Sequence, residues 1–106
     1  MITPEILLEF KERMHLEGDE DMNLLRILTS SEKELIRVCG DYDIQLDEVF
    51  KELVFERSRY AYNDALEYFT KNFLTEINSL GMEKALEQIV GDPIATIQIQ
   101  AESQCR

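Results

Sequence analysis

The sequence predicts an all-α protein, a small bundle of about four helices around one long central helix, with an extended or β-strand C-terminal tail. Three observations lead there. Residues 57–80, RSRYAYNDALEYFTKNFLTEINSL, carry apolar side chains at helical spacing. Thr3-Pro4-Glu5 and a few isolated glycines punctuate otherwise periodic segments. Beyond Pro93 the period changes from helical to alternating.

The first helix starts at Thr3, a capping residue. Pro4 suits the first helical position, and Glu5 meets the positive end of the helix dipole. Ile6, Leu7, Phe10 and Met14 form its apolar stripe, and Gly18 is the expected stop. Asp19 can cap a second helix whose Leu24, Leu25, Leu28, Leu35, Ile36 and Cys39 share one face. Ser31 and Glu32 interrupt that face. Ser31 with Glu34 also fits a capping box, which admits a break near residue 30. Gly40 ends the element, and residues 41–45 read as a short linker.

The long helix is expected over residues 46–72, with a further turn or bent continuation to residue 80. At about 100° per residue, Phe50, Leu53, Val54, Ala61, Ala65 and Tyr68 form one stripe. Phe55, Tyr62, Leu66, Phe69 and Phe73 form a second, about a third of a turn away. Glu52, Glu56, Arg59, Asn63 and Glu67 leave only a narrow polar sector. Two apolar sectors imply either a helix buried centrally or one shared between a core and a partner surface. The second stripe therefore supplies candidate subunit-interface residues.

Gly81 punctuates, and Met82, Leu86, Ile89 and Val90 give a short amphipathic helix closed by Gly91-Asp92-Pro93. This divides the chain into a helical domain, 1–92, and a tail, 93–106. In the tail Ile97, Ile99 and Ala101 alternate with Thr96, Gln98 and Gln100. A lone strand pattern has no sheet within this chain to join, so Ile94, Ile97, Ile99 and Ala101 are candidates for contact with a neighbouring protein.

With 22 acidic and 11 basic residues, the chain carries a net charge of −11. Such a surface repels phosphate backbones and argues against wrapping a nucleic acid, although an acidic wall lets DNA pass without sticking. An apolar content of 44% excludes a disordered acidic tail. No run of about 18 apolar residues is present, so no membrane span is expected. Cys39 and Cys105, without a secretion signal in MITPEILLEF, predict free thiols and assembly in a reducing cytoplasm.

Little in the chain resembles a reaction centre. Asp41, Asp43, Gln45, Asp47 and Glu52 match ligand positions of a calcium loop, but Leu46 stands where the sharp turn wants glycine. An acidic helix start explains the same residues. His15 is the only histidine and has no zinc ligand set beside it. Neither a nucleophile motif nor a glycine-rich phosphate loop is present, so no enzyme, metal or cofactor is expected. Tyr60, Tyr62 and Tyr68 lack the basic neighbours that base stacking on nucleic acid would need. Arg57 and Asp64 both fall in the first apolar stripe as buried-pair candidates, two turns apart and too far to reach one another. Arg57 either meets an acid from another helix or subunit, or packs its stem and extends its head to water.

The run Glu52-Leu53-Val54-Phe55-Glu56-Arg57-Ser58-Arg59-Tyr60-Ala61-Tyr62-Asn63-Asp64-Ala65-Leu66-Glu67-Tyr68-Phe69, with Asn72-Phe73-Leu74-Thr75-Glu76-Ile77-Asn78-Ser79-Leu80 after it, resembles the head–tail connector proteins of tailed bacteriophages. These are also called head-completion, adaptor or DNA-packaging proteins. The opening from Thr3-Pro4-Glu5-Ile6 through Phe10-Lys11 is similar too, so the resemblance covers roughly residues 2–90. RYAYNDALEYF is its most specific part.

The resemblance implies a structural virion protein without catalysis, a helical subunit of a dodecameric ring beneath the portal. Such a ring extends the DNA channel, completes the head and presents a surface to the stopper or tail-completion protein. C-terminal elements in the family contact the portal, which would give Ile94, Ile97, Ile99 and Ala101 a partner. A competing reading is an acidic helical regulator or DNA mimic that binds a basic protein, which the net charge suits equally.

Overall fold

The computed structural model describes residues 1–89, and these are all-helical. Five α-helices follow in order: α1, Pro4–Met14; α2, Asp21–Cys39; α3, Glu48–Tyr62; α4, Phe69–Asn72; and α5, Leu74–Ile89. A 3-10 turn, Leu66–Tyr68, joins α3 to α4. The tail unit from residue 93, with Ile94, Ile97, Ile99, Ala101 and Cys105, lies outside the described residues.

Helix α1 begins as its sequence dictates. The Thr3 hydroxyl accepts from the Ile6 N–H at 3.2 Å and Pro4 opens the helix. Its end falls before Gly18. His15 adopts a left-handed conformation (φ 58°), and Leu16 N–H reaches back to the Lys11 carbonyl at 2.9 Å. This double-bonded turn caps the last carbonyls without a glycine.

Helix α2 is the longest element and runs unbroken through residue 30. Ser31 and Glu32 are not a break but buried polar positions, 0% and 6% exposed. Each has a partner: Ser31 accepts from Arg57, and Glu32 accepts from the N-terminal ammonium of Met1. A satisfied polar residue inside a helix leaves the backbone ladder intact, so the capping-box signal had nothing to cap. Gly40 ends the helix at φ 115°.

The largest departure from the sequence reading concerns the central helix. A single helix over residues 46–72 is replaced by α3 and a short broken segment. Asp47 caps α3 by accepting from the Phe50 N–H at 2.9 Å, which leaves Leu46 outside and 84% exposed. At the other end Asp64 takes a left-handed conformation (φ 60°), and Ala65 N–H bonds the Tyr60 carbonyl at 2.8 Å. The Asn63 side-chain amide donates to the Arg59 carbonyl at 3.0 Å. These contacts satisfy the orphan carbonyls of α3 and turn the chain back. Gly81, by contrast, does not divide α5, which passes through it.

Helix α2 packs against α1, α3 and α5, and α3 also meets α5. Phe10, Leu24, Leu28, Phe50 and Val54 are fully buried at the shared core. Burial of each such side chain stabilises the fold by about 1.5–3 kcal/mol relative to exposure. The 40–47 segment is more than a linker: Tyr42 and Ile44 point inward at 6% and 1% exposure, and Tyr42 stacks on Phe50 with ring centroids 5.4 Å apart.

Candidate assembly surface

The residues expected to form an interface divide into two groups. Phe55 is 1% exposed and Phe69 is 2% exposed, so both belong to the subunit's own core. Phe55 packs on Phe10 with centroids 5.4 Å apart, and the Arg13 guanidinium sits 5.3 Å from its ring centre. Phe69 and Phe73 stack at 5.1 Å, and both meet Tyr60 edge-on at 5.8 and 5.7 Å. The break after α3 makes this cluster possible by folding α4 back on the end of α3. Tyr62 is half-buried, and its hydroxyl donates to Glu20 at 2.8 Å, a bond that raises its pKa. Of the second stripe, only Leu66 keeps a substantial exposed face.

Arg57 and Asp64 are separated by the turn. Asp64 is exposed at its left-handed position. Arg57 is half-buried, and its Nη1 donates to the Ser31 hydroxyl at 3.1 Å. Burial lowers its pKa, partly offset by the charge of Glu34. Glu34 itself is held by Arg37, whose Nε lies 3.1 and 3.2 Å from its two oxygens, and this bond lowers the Glu34 pKa. Next to Arg57 on α3, the Ser58 hydroxyl is fully buried with no hydrogen-bond partner among the described residues.

Two openings flank this region. The first is a cleft of about 150 Å³ in which Arg57 and Glu34 border Leu35, Val38, Leu66 and Ile77. The second is a groove of about 220 Å³ with an apolar floor of Val49, Leu53 and Phe73, and a rim of Glu52, Glu56 and Glu76. Val49 at 61% exposure and Leu46 at 84% extend the apolar surface at the start of α3. Both are missing from the interface residues that periodicity selected. The signal that could have found them is Asp47, because a cap there puts Leu46 before the helix.

The acidic loop places its carboxylates in structural roles. Asp43 accepts from the Gln45 N–H at 2.9 Å, Asp47 caps α3, and Glu52 pairs with Arg13 at 2.5 Å. Among the described residues no group of three or more His, Cys, Asp or Glu side chains is arranged to hold a metal ion. No described helix is long and apolar enough to cross a membrane. Cys39 is a buried free thiol, and burial raises its pKa.

Comparison with protein-family models, with curated proteins and with solved structures finds no match to this chain.

Proposed function

We propose that this chain is a structural, non-enzymatic adaptor subunit of the head–tail neck of a tailed bacteriophage. It forms a ring beneath the portal, extends the DNA channel, completes the head and links it to the stopper or tail. The observation that carries this reading is the presence of two different apolar openings on one subunit, the Arg57 cleft and the Val49–Phe73 groove. A closed ring is built from head-to-tail contacts, and each subunit must then present two unlike patches. The RYAYNDALEYF resemblance supports placing that ring at the phage neck, with dodecameric symmetry and assembly in the host cytoplasm. The net charge of −11 suits a channel wall past which DNA slides. The tail residues Ile94, Ile97, Ile99 and Ala101 are assigned to portal contact on the same resemblance.

The test is co-sedimentation of the chain with the portal protein of its own genome, for wild type, Val49→Asp and Leu66→Asp. Wild type pelleting with portal, and either variant failing to do so while keeping its helical circular dichroism, is the expected result. A wild-type chain that stays in the supernatant contradicts the adaptor role. Binding to a basic protein with steep salt dependence would then favour the acidic regulator.

A further inference from the structure

Among the described residues, Arg57 is the half-buried cation that no carboxylate of its own chain neutralises. A guanidinium offers five N–H donors, and here one hydrogen bond, to Ser31, is made. Among the described residues no carboxylate lies within ion-pair distance of it. Glu34, the acid that shares its cleft, already faces Arg37. The surrounding wall is mostly apolar, and Ser31 is fully buried. The contrast lies with the other half-buried cations, since Lys11, Lys51 and Lys84 each touch a carboxylate, whereas Arg26, Lys33 and Lys71 are exposed to water.

From this charge complementarity we infer that the Arg57 cleft receives a carboxylate side chain from a second copy of this chain. The inference rests on the ring proposed above. A cleft of about 150 Å³ is several times the space one water needs, so it admits a carboxyl group with part of its stem. Exposed Val38 and Leu66 at the rim would cover that stem, and Arg57 would take the head in a bidentate bond. A phosphate, with up to twice the charge and no apolar stem, suits the cleft less well, because Glu34 repels it more and most of the remaining wall is apolar. The same chain supplies the complement, with carboxylates in twofold excess over cations. One set lies beside exposed apolar side chains at the start of α3, where Glu48, 77% exposed and sharing Lys51 with Glu9, neighbours Leu46 and Val49. An acid flanked by apolar residues on one subunit and an arginine in an apolar cleft on the next form the two unlike halves of a head-to-tail contact.

Native mass spectrometry of the full chain, alone over a range of concentrations and mixed with portal, tests this with five proteins. They are wild type, Arg57→Lys, Arg57→Met, Val38→Glu and Val38→Lys, with thermal melts to confirm folding. Val38 is 41% exposed, so its variants change the charge at the rim without entering the core. Wild type should self-associate. Arg57→Met and Val38→Glu should weaken subunit–subunit association at least about tenfold, Arg57→Lys less, and Val38→Lys not at all. Rings that form equally well in folded Arg57→Met and Val38→Glu overturn the inference and leave the adaptor role standing. Loss of portal binding with self-association unchanged also overturns it, and identifies the portal as the source of the acid. A wild-type chain that neither self-associates nor binds portal overturns the adaptor role first, and the inference with it.

Discussion

The Tyr42 hydroxyl donates to the backbone carbonyl of Leu80 at 2.5 Å, tying the loop between α2 and α3 to the middle of α5. The Lys84 ammonium sits 4.3 Å above the same ring, and Phe50 stacks on its other neighbourhood at 5.4 Å. Tyr42→Phe keeps the ring and loses only the hydrogen bond, so it should cost about 1 kcal/mol in chemical denaturation. The pH profile adds a second readout. Burial, reinforced by Glu83 and Glu87, pushes the Tyr42 pKa up to about 12. The folded state therefore holds this proton more tightly than the unfolded chain, whose tyrosine titrates near about 10. The corresponding stability is fully present below pH ~10 and is lost as pH rises toward about 12. Tyr42→Phe should flatten that alkaline decline; an unchanged slope would contradict the assignment.

Gly40 stands at φ 115°, and a Cβ there would lie 2.9 Å from Cβ of Lys84 and overlap its Cγ. Gly40→Ala should destabilise by more than about 1 kcal/mol, from backbone strain together with displacement of Lys84 off the Tyr42 ring. Removing the stem in the Gly40→Ala, Lys84→Ala double variant should recover only part of the loss, since the strain in φ remains. Full recovery in a thermal melt would show that the clash alone matters.

Asp64 closes α3 in the left-handed region, where a β-branched residue is far less tolerated than aspartate. Asp64→Val should lower stability by about 1–2 kcal/mol, whereas Asp64→Gly should leave it unchanged or slightly raised. Equal stability of the two variants would mean that the turn is not what ends the helix.

Ser58 presents a fully buried hydroxyl with no partner among the described residues. Leaving such a group unsatisfied costs about 1–3 kcal/mol, so Ser58→Ala should be neutral or stabilising in urea denaturation. A loss above about 1 kcal/mol would indicate that the hydroxyl has a role beyond filling space.

Phe55 and Leu66 should separate fold from assembly. Phe55→Ala removes a core ring against Phe10 and should cost about 3–5 kcal/mol of stability. Leu66→Ser, at a 38% exposed position, should change stability little and act on association. A chain whose Phe55 variant keeps its melting temperature would contradict the burial described for that ring.

The helical class and most of the core were legible in the sequence, because Ile6, Phe10, Leu24, Leu28, Phe50 and Val54 repeat at helical spacing and a buried face requires that pattern. The ends of elements were less legible. His15 and Asp64 stop helices in left-handed conformations that no glycine marks, and a helical period cannot register a turn whose far side, at Phe69 and Phe73, rejoins the same core. Ser31 was read as an interruption because its partner, Arg57, is 26 positions away and on another helix. The second apolar stripe was a sound reading of periodicity. Its destination was mainly the subunit's own aromatic cluster, while exposed apolar side chains such as Val38, Leu46 and Val49 lie off that stripe. Which face a stripe meets depends on tertiary packing, and a one-dimensional pattern does not carry that information.

The central claim, an adaptor ring under a portal, is tested most directly by counting subunits. Native mass spectrometry of the portal oligomer from the same genome, with the chain added in excess, should yield a species with one copy of this chain per portal subunit. A portal spectrum unchanged by the chain, beside a monomeric peak for the chain itself, would contradict the account.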